Sequence, residues 1–315
     1  MKILTKILIA VGIIALIVGA IFLTIGLINT KKSNVLTTKT HEMSESFSNL
    51  NVDLIMSDLE FKVSEDGDIK VVCVEKEKVY NEVSVSDNAL IIKEIDTRKF
   101  YEKIFNFSFK RTTVTVYLPA ATYGNLIAKS TTGKILSAKE FNFNSISVDV
   151  TTGNVEINSN VTDLIQVETT TGKVEVNNAN AKNMQIETTT GKVKLNHLNV
   201  LGKIDIEVTT GNVELNDVKS KNIEMATTTG NIKLTNVITE ENITAETTTG
   251  HITFENSDAQ TLNAKATTGN ITGTLLTNKI FDAESEAGTV SVPQSSEGGL
   301  CKLRTTAGKI NITIK

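Results

Sequence analysis

The stretch ETTTGKVEVNN at residues 168–178 returns nineteen residues later as ETTTGKVKLNH, and variants of it recur along the C-terminal two thirds of the chain. The glycine at its centre stands at Gly133, Gly153, Gly172, Gly191, Gly211, Gly230, Gly250, Gly269, Gly288 and Gly308, at intervals of 19 or 20 residues. A period this constant means that each copy is one turn of a stacked structure. It also leaves no loop long enough to hold an inserted domain.

Side-chain alternation indicates the conformation. Seven, five, three and one residues before the glycine the chain places apolar residues or Thr, with polar residues between; Ile165, Val167, Thr169 and Thr171 are one set, Met184, Ile186, Thr188 and Thr190 another. Period two is the pattern of a strand with one buried face. After the glycine the apolar set moves to the second and fourth positions, as in Val174 and Val176, Val193 and Leu195, Val213 and Leu215. This slip of phase predicts a bend at the glycine, which has no Cβ. A weaker apolar position falls seven residues after it, at Ala179, Leu198, Val218, Val237 and Leu276, on a short third side rich in Asn. The expected fold is all-β: a single-domain parallel β-solenoid over residues 125–315, of about ten 19–20-residue coils, each with a structural glycine corner. At the rung spacing of a parallel ladder such a rod is roughly 45–50 Å long. Crossover chirality makes a right-handed coil the default.

Residues 7–28, ILIAVGIIALIVGAIFLTIGLI, carry no charge and are long enough to span a bilayer. The LINTKKS that ends this run offers no small-x-small cleavage site, so one uncleaved transmembrane helix is expected. Residues 1–6 would then be a cytoplasmic stub, 29–44 a stalk and 45–124 an N-terminal β region capping the solenoid. Lys2 and Lys6 on one flank balance Lys31 and Lys32 on the other, so charge decides the orientation weakly. A repetitive solenoid on one N-terminal tether is expected to face outward, as a single-pass cell-membrane protein with an extracytoplasmic bulk.

The net charge of the 315-residue chain is −4, and −8 for residues 33–315, which hold 28 basic and 36 acidic side chains. A mildly acidic surface argues against nucleic acid as a partner. Cys301 shares the core column of Ile165 and Met184, which predicts a buried thiol; a disulfide with Cys73, 228 positions away, is the alternative.

Residues 45–124 alternate like strands without a strict period, in NVDLIMSDLEFKVS, IKVVCVE, ALIIKEI and TTVTVYLP. The first of these resembles a repeat turn with Ser57-Asp58 at its corner. FYEKIFNFSF, residues 100–109, places Phe105, Phe107 and Phe109 on one face. This strip is expected to cap the first rung, since an open solenoid end invites aggregation; the other reading is a surface for sugar or lipid.

An apolar N-terminal run, then VTVYLP, then a series of TTGxVxV turns resemble the LiaG-like bacterial "putative adhesin" family, a domain of unknown function with β-strand repeats. The resemblance covers roughly residues 45–315. It implies a β-solenoid on the cell envelope and a link to adhesion or envelope stress, and it implies no catalytic residues and no cofactor.

β-Helices also include polysaccharide lyases, which gather Asp, Arg and Lys around a metal under long loops. Here the connections are seven or eight residues, His41, His197 and His251 share no paired spacing, and no GxSxG, HExxH, CxxC or phosphate-loop motif occurs. Thr stands two residues before the glycine in nine turns and directly before it in eight. The second of these columns has core parity, so its hydroxyls are expected to satisfy backbone groups at the corner. That leaves a single outward Thr column, too little for the paired array of an ice-binding face. Four residues before the glycine lies an outward acidic column, Asp149, Glu168, Glu187 and Glu207, with Glu246 and Glu284 beyond. Lys173, Lys192 and Lys309, just after the glycine, are placed to offset it. A solvated face is expected, with a weak divalent-cation site or a cationic envelope partner as the alternative. Taken together these features predict a non-catalytic envelope protein that presents a repetitive surface to a cell-wall polymer or a membrane protein. The alternatives are a polysaccharide-active enzyme and a partner-binding regulatory module of a signalling system. The sequence leaves the oligomeric state open.

Overall fold

The computed structural model describes residues 35–105 and 110–315, with Leu16, Gly19 and Ala20. The expected membrane anchor, 7–28, therefore lies outside the described residues but for these three. No helix among the described residues is long and apolar enough to cross a membrane.

The repeats form a parallel β-solenoid because each apolar column continues one period later. Ile146, Ile165 and Met184 lie abreast, as do Val155, Val174 and Val193. Each coil has three sides. In one of them Val193–Asn196 forms the first side, 198–200 the second and 203–210 the third. The corner between the first two is made by a residue in the left-handed region, six after the glycine. Asn178, His197, Asp217, Asn236 and Asn256 have φ of 48–54° there, and Asn, Asp and His are the side chains that tolerate it best. Beside this corner, one residue earlier, an asparagine ladder climbs the rod. Asn177 donates to the side chain of Asn158 at 3.1 Å, Asn196 to Asn177 at 2.6 Å and Asn216 to Asn196 at 2.9 Å.

Two expectations about burial need correction. The residue directly before the glycine is exposed in every Thr-Thr-Gly coil, from Thr132 to Thr268. Core parity ends three residues before the glycine, at Ser130, Val150, Thr169, Thr188, Val208, Thr227, Thr247 and Ala266, all buried. The ladder itself supplies the corner: the amide of Gly172 donates to the carbonyl of Thr190 in the next coil at 2.9 Å. The hydroxyls that help are the buried ones, Thr247 donating to the carbonyl of Gly230 at 3.0 Å and Thr227 to that of Gly211 at 3.2 Å. Leu276 is also exposed, whereas Ala179, Leu198, Val218 and Val237 are buried as expected. Its coil skips the left-handed residue, so the register shifts and Leu275 takes the buried place opposite Ser257.

The glycine column has a stronger cause than a bend. Gly191 has φ of 159°, and a Cβ built on it would overlap the carbonyl oxygen of Gly172 in the coil below. Successive corners stack backbone on backbone, and a side chain has no room between them.

Spatial order departs from chain order at both ends. Gly299–Ala307 pairs with Thr261–Thr268 on one side and Lys279–Ala287 on the other. The last coil in sequence is therefore the penultimate one in space, and the Gly288 coil ends the rod. A buried ion pair, Lys279 with Asp258, reaches across the inserted coil.

At the other end, β1 (Leu36–Met43), β2 (Asn49–Leu54), β3 (Asp58–Val63), β4 (Ile69–Lys76), β5 (Val79–Ser86), β6 (Ala89–Asp96) and β7 (Thr113–Leu118) build the N-terminal region. Strands β2 and β3 form a coil beneath the first regular one, pairing in parallel with Thr122–Thr132 and Ile135–Ser137. Strands β6 and β7 form a further coil beneath that. Two more coils than the glycines announce lengthen the rod to about 53 Å at the usual rung spacing. The hairpin β4–β5 then turns antiparallel onto β7 and β6, and β1 pairs antiparallel with β4. The described cap is thus built by strands. The FYEKIFNFSF segment lies between β6 and β7 and opens with α1 (Phe100–Phe105); the side chain of Phe105, and Phe107 and Phe109, on which the expected aromatic strip rests, lie outside the described residues.

The corner of the β2–β3 coil has no Thr-Thr-Gly. Its amides are collected by Glu94 of β6, which is 3 % exposed. The Oε2 atom of Glu94 accepts from the N–H groups of Ile55 at 2.6 Å, Met56 at 2.7 Å and Ser57 at 3.2 Å. Its Oε1 atom accepts from the Ser57 hydroxyl at 2.7 Å.

Candidate functional site

The acidic column is brought into register as expected, with Asp149 beside Glu168, Glu168 beside Glu187 and Glu187 beside Glu207. Below it the column continues through Lys129 and Asp53, and above it through Ala226, Glu246, Lys265 and Arg304. Next to the carboxylates runs the Thr column two residues before the glycine. Between them lies an open trough of about 620 Å³, lined from Asp149 to Lys265 and Thr267. It spans seven rungs, whose six spacings make about 29 Å along the rod.

The strand alternates through this stretch, so the residues four and two before the glycine share the solvent face. The chain then turns within two exposed residues, which gives two exposed Thr columns rather than the single one expected. They do not restore an ice-binding face, because they flank a corner beside carboxylates instead of forming a flat uncharged array.

The lysines after the glycine do not offset the acidic column. Lys173 pairs with Glu175, and Lys192 pairs with Glu214 at 2.6 Å, both on the side beyond the corner. No described cation lies within 4 Å of the carboxylates of Asp149, Glu168, Glu187 or Glu207. Glu168 and Glu187 accept instead from Gln166 and Gln185 on the same strands, at 2.9 and 2.8 Å. Five carboxylates and one lysine therefore line the trough. Like charges one rung apart repel by about 1 kcal/mol in water, and a cationic ligand lying along the groove would relieve that repulsion.

Among the described residues no three His, Cys, Asp or Glu side chains converge as a metal site. His197 stands 3.4 Å from Asp217, both exposed at the left-handed corner. His251 belongs to a different corner, where its Nδ1 accepts from the amide of Asn270 at 3.0 Å. His41 lies in β1 of the cap. Cys73 and Cys301 are free and buried at opposite ends of the rod, and burial pushes both thiols up to about 12.

The Thr column directly before the glycine, expected to face the core, faces solvent, because the alternation stops two residues earlier; Glu94 lies outside any repeat and carries no periodic signal. The left-handed column was readable: Asn, His, Asp, Asn and Asn at one phase of the period are the residue types that such a corner selects.

One solved structure shares this architecture, and two more are similar to the chain at lower scores. A putative adhesin from Parabacteroides merdae is 13% identical, covers 88% of this chain and 96% of its own, and gives a TM-score of 0.51. A putative adhesin from Bacteroides fragilis is 15% identical, with 90% and 99% covered and a TM-score of 0.43. A putative lipid binding protein from Parabacteroides distasonis is 14% identical, with 88% and 97% covered and a TM-score of 0.49. At these identities the likeness speaks to fold alone. No curated protein matches the chain. The model of the Toastrack family, DUF4097, matches residues 47–205 and 199–315, nearly the whole of the coiled region, and the chain belongs to that family.

Proposed function

We propose that this protein is a non-catalytic, membrane-tethered component of the cell envelope that binds a linear polymer along its trough. The observation that carries the reading is the trough itself, where carboxylates and threonine hydroxyls repeat in register every coil. A surface with one weak contact per rung favours a partner with its own repeat, because bound units raise the effective concentration of the next. The carboxylates suit amino or ammonium groups, and the hydroxyls suit sugar hydroxyls. Residues 7–28 supply the tether, which puts the rod where wall polymers are found. That the described histidines stand apart from one another supports the non-catalytic reading.

Co-sedimentation of the full chain in detergent with purified cell wall tests this. Binding at low salt that weakens as salt rises, with the polymer recovered chemically unchanged, is the expected result. Saturable release of unsaturated sugar would instead assign the trough to a lyase.

A further inference from the structure

The β6–β7 bridge is basic in an acidic protein. Arg98, Lys99, Lys103, Lys110 and Arg111 lie within it, and Lys78 reaches Glu102 at 2.5 Å from the neighbouring hairpin. Against these six cations stand three carboxylates: Asp96, paired with Arg98 and Lys103, Asp58, paired with Arg111, and Glu102. The patch is left at +3 on a chain whose net charge is −4. Lys99, Lys103, Lys110 and Arg111 are exposed, and among them Phe100 is 79% exposed, the most exposed large apolar side chain among the described residues.

Placement gives this patch a meaning. Thr38 of β1, Val74 of β4 and Thr113 of β7 lie abreast. The point where the chain enters the cap, at Leu36, is therefore two strands, about 10 Å, from the end of β7 that carries Arg111. Only residues 29–35 separate that entry from the apolar run, and seven extended residues reach at most about 25 Å. The patch and the chain's entry at Leu36 therefore share one corner at one end of the rod.

We propose that Lys99, Phe100, Lys103, Lys110 and Arg111 form a docking surface for the anionic lipid headgroups of the membrane in which residues 7–28 are anchored. The proposal rests on the tethered reading. Basic side chains held within a Debye length of an anionic bilayer are attracted to it, and an aromatic ring among them partitions into the interface. Two attachments on one face, one apolar and one electrostatic, would fix the angle of the rod. A single flexible stalk would let it swing.

The chain contains no tryptophan, so Phe100→Trp places one reporter at the patch. The full-length variant is reconstituted into vesicles of phosphatidylcholine alone, or of phosphatidylcholine mixed with phosphatidylglycerol, with and without brominated acyl chains. Flotation with vesicles of both kinds tests the tether separately. The docking account predicts blue-shifted emission and roughly twofold quenching by brominated lipid in the anionic vesicles only, reversed by high salt. Replacing Lys99, Lys103 and Lys110 by Gln in the same variant should abolish the shift, while the circular dichroism of the solenoid stays unchanged. Water-exposed emission in both vesicles from a chain that floats would overturn the proposal. So would equal quenching in both, which would make the contact merely apolar, and so would emission already blue-shifted in detergent, which would place the ring against protein.

Discussion

The corner of a regular coil and the corner of the coil formed by β2 and β3 solve one problem in two ways. At Gly191 the amide donates to the carbonyl of Thr210 in the next coil, and nothing but hydrogen fits on the Cα. At Ile55, Met56 and Ser57 the neighbouring coil does not repeat the motif, and a side chain, Glu94, gathers the three amides instead. The difference shows what the repetition is for. A corner stacked on its own copy needs one small residue and no polar side chain, so it can be repeated indefinitely. The end of the array has no copy beneath it and must be satisfied individually.

The largest expected effect tests the first half of that contrast. Gly191→Ala should cost about 3–4 kcal/mol, nearly as much as Gly191→Val, because the first carbon already overlaps a carbonyl. Urea unfolding of the two variants measures it. If Ala proved nearly neutral while Val was severe, the glycine would be needed only for a bend.

The second half is tested by Glu94→Ala, which orphans the amides of residues 55–57. A loss of about 3 kcal/mol is expected, with faster hydrogen exchange at those three amides. Unchanged exchange there would mean that water or a rearranged corner replaces the carboxylate.

A smaller effect separates the two regions by pH. Asp96 of β6 is buried, which opposes its ionisation, but hydrogen bonds from Arg98 and Lys103 prevail and hold its carboxyl at about 2 against an ordinary 3.8. The folded value lies below the unfolded one. The stabilisation is therefore complete above pH 4 and is lost as pH falls from about 4 to about 2, amounting to about 2 kcal/mol. Thermal melts across that window should show the cap loosening, and Asp96→Asn should flatten the dependence. The smallest effect concerns the trough: millimolar Ca²⁺ should raise Tm by no more than about 2 °C, since stacked carboxylates without converging ligands make no tight site.

The regular coils were legible because each column repeats one physical demand. Ile165 and Met184 in one column, or Val174 and Val193 in another, declare a buried strand face ten times over. What escaped lies where the period gives no second vote. Parity could not tell that Thr171 turns outward, because the in-and-out alternation stops at Thr169 while the strand itself runs on to Thr171. The interchange of the last two coils leaves no mark on a sequence whose coils are interchangeable. Glu94 sits among strand residues of ordinary alternation, and its role depends on a corner some forty positions earlier. The trough was half visible: the acidic column was read, but its lysine partners were assigned to the wrong carboxylates, since both choices lie within reach of a flexible side chain.

The claim that the Thr and carboxylate columns form the binding face is tested most directly by comparing faces. One full-length variant carries Asp149→Asn, Glu168→Gln, Glu187→Gln and Glu207→Gln in the trough. A second carries Glu175→Gln and Glu214→Gln on the side beyond the corner. Cell-wall co-sedimentation at low salt is measured for both against the parent chain. The account predicts that the trough variant loses most of its binding, roughly tenfold or more, as several weak contacts vanish together, while the second variant binds like the parent. Equal binding by all three chains would contradict it.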